Sequence, residues 1–196
     1  MRNTFYTFLI LICSYNSFGQ QAVIPKNSLS IVPIATYNRY NWSVGIAYER
    51  LIDNKGRWGI NIPILYTFMN NYFNVDFGKK NKNWMIVNPG FRYYPIKRKS
   101  FTYGAGISYY YVSGQSTDYG IGTPPEGNKY DIWEAGPMLN NYVGFNISQR
   151  IHISMEFGIG KIVTLKMRSH LTGKVSDAFT LNEPMTQTNF QISYRF

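Results

Sequence analysis

Apolar and polar residues alternate through most of this chain. In "WSVGIAYER", Trp42, Val44, Ile46 and Tyr48 fall on one side of an extended backbone, and Ser43, Gly45, Ala47 and Glu49 on the other. "RWGINIPILYTF" sets Trp58, Ile60, Ile62, Ile64, Tyr66 and Phe68 against Gly59, Asn61, Pro63, Leu65 and Thr67. "FTYGAGISYYYV" and "RIHISMEFGIG" repeat the pattern, the second placing Ile151, Ile153, Met155, Phe157 and Ile159 opposite His152, Ser154, Glu156, Gly158 and Gly160. A strand turns successive side chains to opposite faces, whereas an amphipathic helix needs apolar residues three and four apart. The pattern predicts strands of about ten residues, each with one apolar face and one small, polar face.

Four further stretches complete the set. "WMIVNPGFRYYPI" and "EAGPMLNNYVGFNI" alternate less cleanly, Asn141 interrupting the second. Residues 28–37 are strand-like with ambiguous faces, and the chain closes on "NFQISYRF", with Phe190, Ile192, Tyr194 and Phe196 on one side. Pro33, Pro63, Pro89 and Pro137 lie inside these segments. Proline donates no ladder hydrogen bond, so a bulge or break is expected at each.

The eight segments are joined unevenly. "IDNKGR", "KRKS" and "SQR" are short, while the connections after the third, fifth and seventh segments run to about 15, 20 and 23 residues. The first connection, at residues 38–41, is short where the alternation calls for a long one. Short turns at one end and long loops at the other predict an all-β, eight-stranded antiparallel up-and-down barrel. Rings at the ends of the apolar faces (Trp42, Tyr48, Trp58, Tyr66, Phe68, Tyr93, Phe101, Tyr109, Tyr111) match the two interfaces of a membrane. A soluble barrel would carry its large apolar residues inside. Lipid also forbids an open sheet edge, so the strands must close into a ring.

Composition sharpens this picture. Residues 1–19 read as a secretory leader: Arg2, an apolar run from 5 to 13 too short to span as a helix, then Ser17-Phe18-Gly19. Residues 20–196 form the barrel on this reading. Cys13 is the only cysteine and lies in the leader, which leaves no disulfide and no thiol chemistry. The formal net charge is +10, a balance that suits a polyanion. Export argues against nucleic acid and for a phosphate-bearing membrane surface. Aromatics make up 17% of the chain, with 17 tyrosines, which fits a water–lipid boundary.

With the leader, the eight segments and the terminal "FQISYRF", the chain resembles the small outer-membrane β-barrels of Gram-negative bacteria, the class of the OmpX-like and OmpA N-terminal barrels. Its Tyr-rich strands and "NPGFRYYP" look like the barrels of the Bacteroidota. The resemblance implies insertion in the outer membrane after export through the general secretory route, with short turns in the periplasm and long loops outside. It also implies that Phe190, Ile192, Tyr194 and Phe196 are read by the barrel-assembly machinery. Outer-membrane lipid and lipopolysaccharide become expected partners, alongside protein partners in a larger assembly.

Candidate chemistry is sparse. His152, Ser154 and Glu156 face one way, like a hydrolase triad, and lipid A deacylases use such a set on a similar barrel. Neighbours two apart on a strand lie about 6–7 Å apart, too far for direct contact, and the short "SQR" turn places them at the periplasmic end. Glu49, Arg92, Glu156 and Glu134 point to the lumen, where buried charges must pair. An Arg92–carboxylate bridge blocking a narrow lumen is the expected arrangement. Lys79, Lys80, Lys82, Lys129, Lys166, Arg168, His170 and Lys174 put positive charge on the long loops, and Lys97, Arg98 and Lys99 on a periplasmic turn. No phosphate-binding loop, metal-ligand spacing or cofactor motif is present. The expectation is a non-enzymatic barrel that acts by its surface and loops. An accessory subunit, a narrow channel and a lipid A-modifying hydrolase are the alternatives.

Overall fold

A computed structural model describes residues 25–37, 41–67, 80–97, 100–118, 127–177 and 184–196. Residues 1–19, Phe68, Lys79, Arg98 and Lys99 lie outside them. The described residues form one antiparallel sheet of eleven strand segments and no helix. The segments are β1 (Asn27–Tyr37), β2 (Asn41–Leu51), β3 (Trp58–Thr67), β4 (Lys80–Val87), β5 (Gly90–Lys97), β6 (Phe101–Asp118), β7 (Asn128–Asn146), β8 (Ile151–Lys161), β9 (Thr164–Ser169), β10 (Val175–Asp177) and β11 (Pro184–Arg195).

Together they make an eight-stranded closed barrel: β4–β5 and β8–β9 are each one strand with a local break, and the three-residue β10, paired only with β9, adds no strand to the ring. Val87 opposes Tyr111 and Gly90 opposes Ser108, so register runs unchanged through Asn88-Pro89. The ring closes between β1 and β11, from Ser28 opposite Arg195 to Tyr37 opposite Gln187. The Phe196 amide donates to the Asn27 carbonyl at 2.9 Å, and the Phe196 carbonyl accepts from the Asn27 amide at 3.1 Å, so the last residue belongs to the seam.

All four prolines coincide with irregularities. At Pro33 the register of β1 slips against both neighbours, a bulge that keeps Leu29, Ile31 and Ile34 on the same outer face. Asn88 donates to the Pro63 carbonyl, and Tyr109 donates to the Pro89 carbonyl. In an antiparallel ladder the N–H and C=O of one residue address the same neighbour. The carbonyls of Asn88 and Tyr109 therefore each face a proline nitrogen with no hydrogen. Pro137 sits beside the break between β8 and β9, where pairing moves from Met138–Gly160 to Ala135–Thr164.

The outer face is apolar. Ile31, Ile46, Ile64, Phe91, Ile107, Leu139, Phe157 and Ile159 are all exposed on it. Rings gather at both ends of this band. Near the short turns Trp58 packs on Tyr93 at 4.6 Å between centroids, Phe101 on Phe145 at 5.5 Å, and Tyr194 on Phe196 at 6.4 Å. Trp42, Tyr66, Tyr109 and Tyr111 mark the other end. Trp58 to Tyr66, and Phe101 to Tyr109, are eight residues or about 27 Å along a strand. A tilted strand of that length crosses a hydrocarbon layer. Asn141, the polar interruption of this face, accepts from the Tyr103 hydroxyl at 3.0 Å.

The turns are built locally. Asp53 Oδ1 accepts from the Trp58 amide at 2.9 Å, a bond that holds its carboxyl below the usual carboxylate range. Gly56, at φ 64°, takes the left-handed position of that turn. In the turn before β8, Ser148 Oγ accepts from the amides of Arg150 and Ile151 at 3.2 and 3.0 Å.

Two expectations change. The stretch between the fifth and sixth alternating segments is not all loop: β6 and β7 pair from Phe101–Phe145 up to Asp118–Asn128. The stretch after β8 likewise holds β9 and β10, which extend the sheet beside β7. Ladder hydrogen bonds, which do not depend on the bilayer, carry the sheet beyond the apolar band.

Candidate functional site in the barrel lumen

The lumen has three layers. Nearest the short turns is a charged one. Arg92 Nη2 bonds Glu156 Oε2 at 2.7 Å and Nη1 reaches Glu49 Oε1 at 3.4 Å. The Arg92 and Glu156 side chains are 4% and 3% exposed, so neither charge is screened by bulk water. Glu49 also accepts from the Tyr94 hydroxyl, and Glu156 from Gln191 Nε2 at 3.3 Å. The guanidinium lies 4.7 Å from the centre of the Tyr142 ring. The cation is thus held between two carboxylates and a ring.

A second network hangs beneath it. Asn146 Oδ1 accepts from Arg195 Nη1 at 2.7 Å and stands 2.7 Å from His152 Nδ1. Arginine can only donate, so this atom is an acceptor and Nδ1 of His152 carries the proton. His152 Nε2 then accepts from the Tyr142 hydroxyl at 2.6 Å. The two rings stack with an interplanar angle of 17°. Gly144, directly across from Ser154, makes room for this: a Cβ there would run into the His152 ring.

The middle layer is a chain of neutral groups across the barrel. Asn88 Nδ2 donates to Gln187 Oε1 at 3.0 Å, Gln187 Nε2 to Asn140 Oδ1 at 3.2 Å, and Asn140 Nδ2 to Ser108 Oγ at 2.7 Å.

Above it lies an apolar layer that the small, polar faces of the sequence do not announce. Trp84, Ile86, Leu65, Tyr110, Val112, Met138, Ile162 and Met185 are buried there and pack as one cluster. Trp84 fits because Gly114 has no side chain; a Cβ there would enter the indole ring. The expectation of a lumen filled by small polar groups is corrected at this end. An eight-stranded barrel is narrow enough for facing side chains to meet, so large rings opposite glycines fill it as well as amides do.

The suspected triad is not assembled. His152 is committed to Tyr142 and Asn146 through both nitrogens, and Glu156 to Arg92 and Gln191. Neither nitrogen of His152 is left to take a proton from Ser154. Glu134 is buried. The residues Phe190, Ile192, Tyr194 and Phe196 line the outer face of β11, the first three opposite Ile34, Ile31 and Leu29 of β1.

Among the described residues, the basic positions of the long-loop end fall on adjoining strands. Asp131 of β7 pairs Arg168 of β9, and Trp133 pairs Lys166. On the other side of β7, Gln115 and Thr117 of β6 bring the register positions of Lys82 and Lys80 alongside. Lys166, Arg168 and His170 are exposed. His170 Nε2 stands 2.9 Å from Asp131 Oδ1. Lys174 belongs to the exposed turn that leads into β10.

No family model matches the chain, and no curated protein matches it. Solved structures do. A major outer membrane protein from Thermus thermophilus superposes with a TM-score of 0.56 at 10% identity, over 87% of this chain and 99% of that one. Ail, the attachment invasion locus protein of Yersinia pestis, superposes with a TM-score of 0.52 at 11% identity, over 88% and 99%. At such identities the likeness is one of fold. The class that fold defines is the small, closed, eight-stranded outer-membrane β-barrel.

Proposed function

We propose that this protein is a non-enzymatic outer-membrane barrel with a sealed lumen, acting through its outer wall and its long-loop end. The observation that carries this reading is the Arg92–Glu156–Glu49 cluster at 2.7 and 3.4 Å, stacked in series with the amide chain and the Trp84 layer. His152, Glu156, Glu49 and Arg92, the lumen groups best suited to chemistry, are each bonded to other lumen groups. Three filled layers then stand in series between the two ends. The short turns face the periplasm and the basic flank faces outward, over the phosphates of the outer leaflet. The narrow-channel alternative predicts the opposite behaviour in one measurement. The purified full chain in a planar bilayer gives no conductance steps in concentrated salt; regular steps from the wild-type protein would overturn the sealed reading.

The role of the last strand rests on the resemblance and on its place at the seam. The Phe196 ring is exposed on the outer face, whereas its backbone makes the closing bonds with Asn27. Phe196→Ser therefore keeps the closing hydrogen bonds and removes only the ring. The expected outcome is a several-fold lower yield of folded barrel in cells, with unchanged folding of the purified chain into detergent micelles. Equal yields in cells would remove the assembly role.

A further inference from the structure

A groove opens on the outer face of the wall, at the two prolines of its central strands. It has a volume of about 750 Å³. Its floor is the row Phe91, Ile107, Leu139 and Ile159, in register across β5, β6, β7 and β8. One row higher, Pro89 and Pro137 flank Tyr109, and Lys161 ends the row. Proline rings are short and flat, so the wall is recessed between the taller side chains. Tyr109, beside Pro137, belongs to the rings at the long-loop end of the apolar band, eight residues or about 27 Å from Phe101. The groove thus lies in the half of the wall nearer the long loops.

Directly above it, on the same face, the charge changes. Lys166 and Arg168 stand on β9 two and three rows above Lys161, beyond the Ala135–Thr164 row, and all three are exposed. Asp131 and Asp177 are the acidic neighbours, opposite Arg168 and Lys166; Asp131 already accepts from Gln115 and stands 2.9 Å from His170. Rows on a strand are spaced by about 6.8 Å. The column therefore runs from an apolar trough through Tyr109, Tyr111 and Trp133 to cations at two or more heights.

We infer that this flank seats a phosphorylated glycolipid of the lipid A type, one acyl chain in the groove and its phosphates against Lys161, Lys166 and Arg168. The inference rests on the outward orientation proposed above. A phospholipid offers a single phosphate beside its chains, which meets one row. A doubly phosphorylated sugar headgroup matches cations spread over more than one row, and that complementarity selects the glycolipid.

The test uses the full chain in detergent micelles and native mass spectrometry. Doubly phosphorylated lipid A, singly phosphorylated lipid A and phosphatidylglycerol are titrated separately. The doubly phosphorylated lipid is retained at one per barrel, the singly phosphorylated lipid more weakly, and phosphatidylglycerol at least about tenfold more weakly. Lys161→Glu, Lys166→Glu and Arg168→Glu combined lower retention by roughly a hundredfold, taking about a tenfold loss or less per cation. Ile159→Trp fills the trough without changing charge and also lowers retention. It keeps the test valid if the triple variant does not fold, which a heat-modifiable gel shift reports. Equal retention of phosphatidylglycerol, or retention unchanged by Ile159→Trp in folded protein, overturns the seat. Neither result bears on the sealed lumen, which conductance alone tests.

Discussion

Arg92→Ala lowers the unfolding free energy of the barrel by about 3–5 kcal/mol, read as a shift in the urea midpoint of the chain in micelles. The loss comes from what is left behind. Glu156 keeps Gln191 but loses its cation at 2.7 Å, deep in a lumen where its side chain is 3% exposed. Glu49 keeps Tyr94 and is the wetter of the two at 12%. Replacing the whole cluster gives a different result. With Arg92→Met, Glu49→Gln and Glu156→Gln together, no charge remains to be desolvated, and stability returns to within about 1–2 kcal/mol of wild type or exceeds it. If Arg92→Ala is no less stable than that triple variant, the cluster is not a buried ion pair in solution.

Opening the lumen takes two lesions. Arg92→Ala with Glu156→Ala removes the central ion pair of the charged layer without leaving Glu156 unpaired, Glu49 staying bonded to Tyr94, yet the Trp84 layer still closes the barrel. Trp84→Ala removes the largest side chain of that layer and costs about 3–5 kcal/mol, because Gly114 has no side chain to move into the space. Alone it leaves the charged layer in place. The three substitutions combined produce conductance steps in a planar bilayer, and neither set alone does so. The Asn88–Gln187–Asn140–Ser108 chain that remains is neutral and polar, so it wets. A combined variant that folds and still passes no current would show that the barriers are not where the side chains place them.

Much of this was legible from alternation. Parity alone put Glu49, Arg92, Glu156 and His152 on the inner face and the isoleucines outside, because a closed barrel in lipid leaves each strand only one sensible orientation. Parity also put Met85, Val87, Phe91 and Tyr93 on one face, as the exposed Met85 and Phe91 bear out, but it says least where both faces are apolar. "WMIV" offers Trp84 and Ile86 as readily to lipid as Met85 and Val87, and only the pairing with β6, which sets Gly114 beside Trp84, decides. Parity left the faces of residues 28–37 undecided, because the bulge at Pro33 advances the face by one residue. The link between Tyr142, His152 and Asn146 was out of reach because β7–β8 register is a property of the assembled sheet. The gathering of Lys166 and Arg168 beside β7 was hidden for the same reason.

A cylinder of strands has no free edge, so a foreign strand can enter only where the wall is already unzipped. The stretch around Pro63 and Pro89 lacks two ladder bonds, with the Asn88 and Tyr109 carbonyls each facing a nitrogen that has nothing to give. The same rings that open the gap also guard it. An intruder would find acceptors on one side and no matching donors on the other, and could not knit itself in. Weak cohesion and resistance to invasion thus come from one chemical fact, and the molecule can yield there without becoming a template for its neighbours.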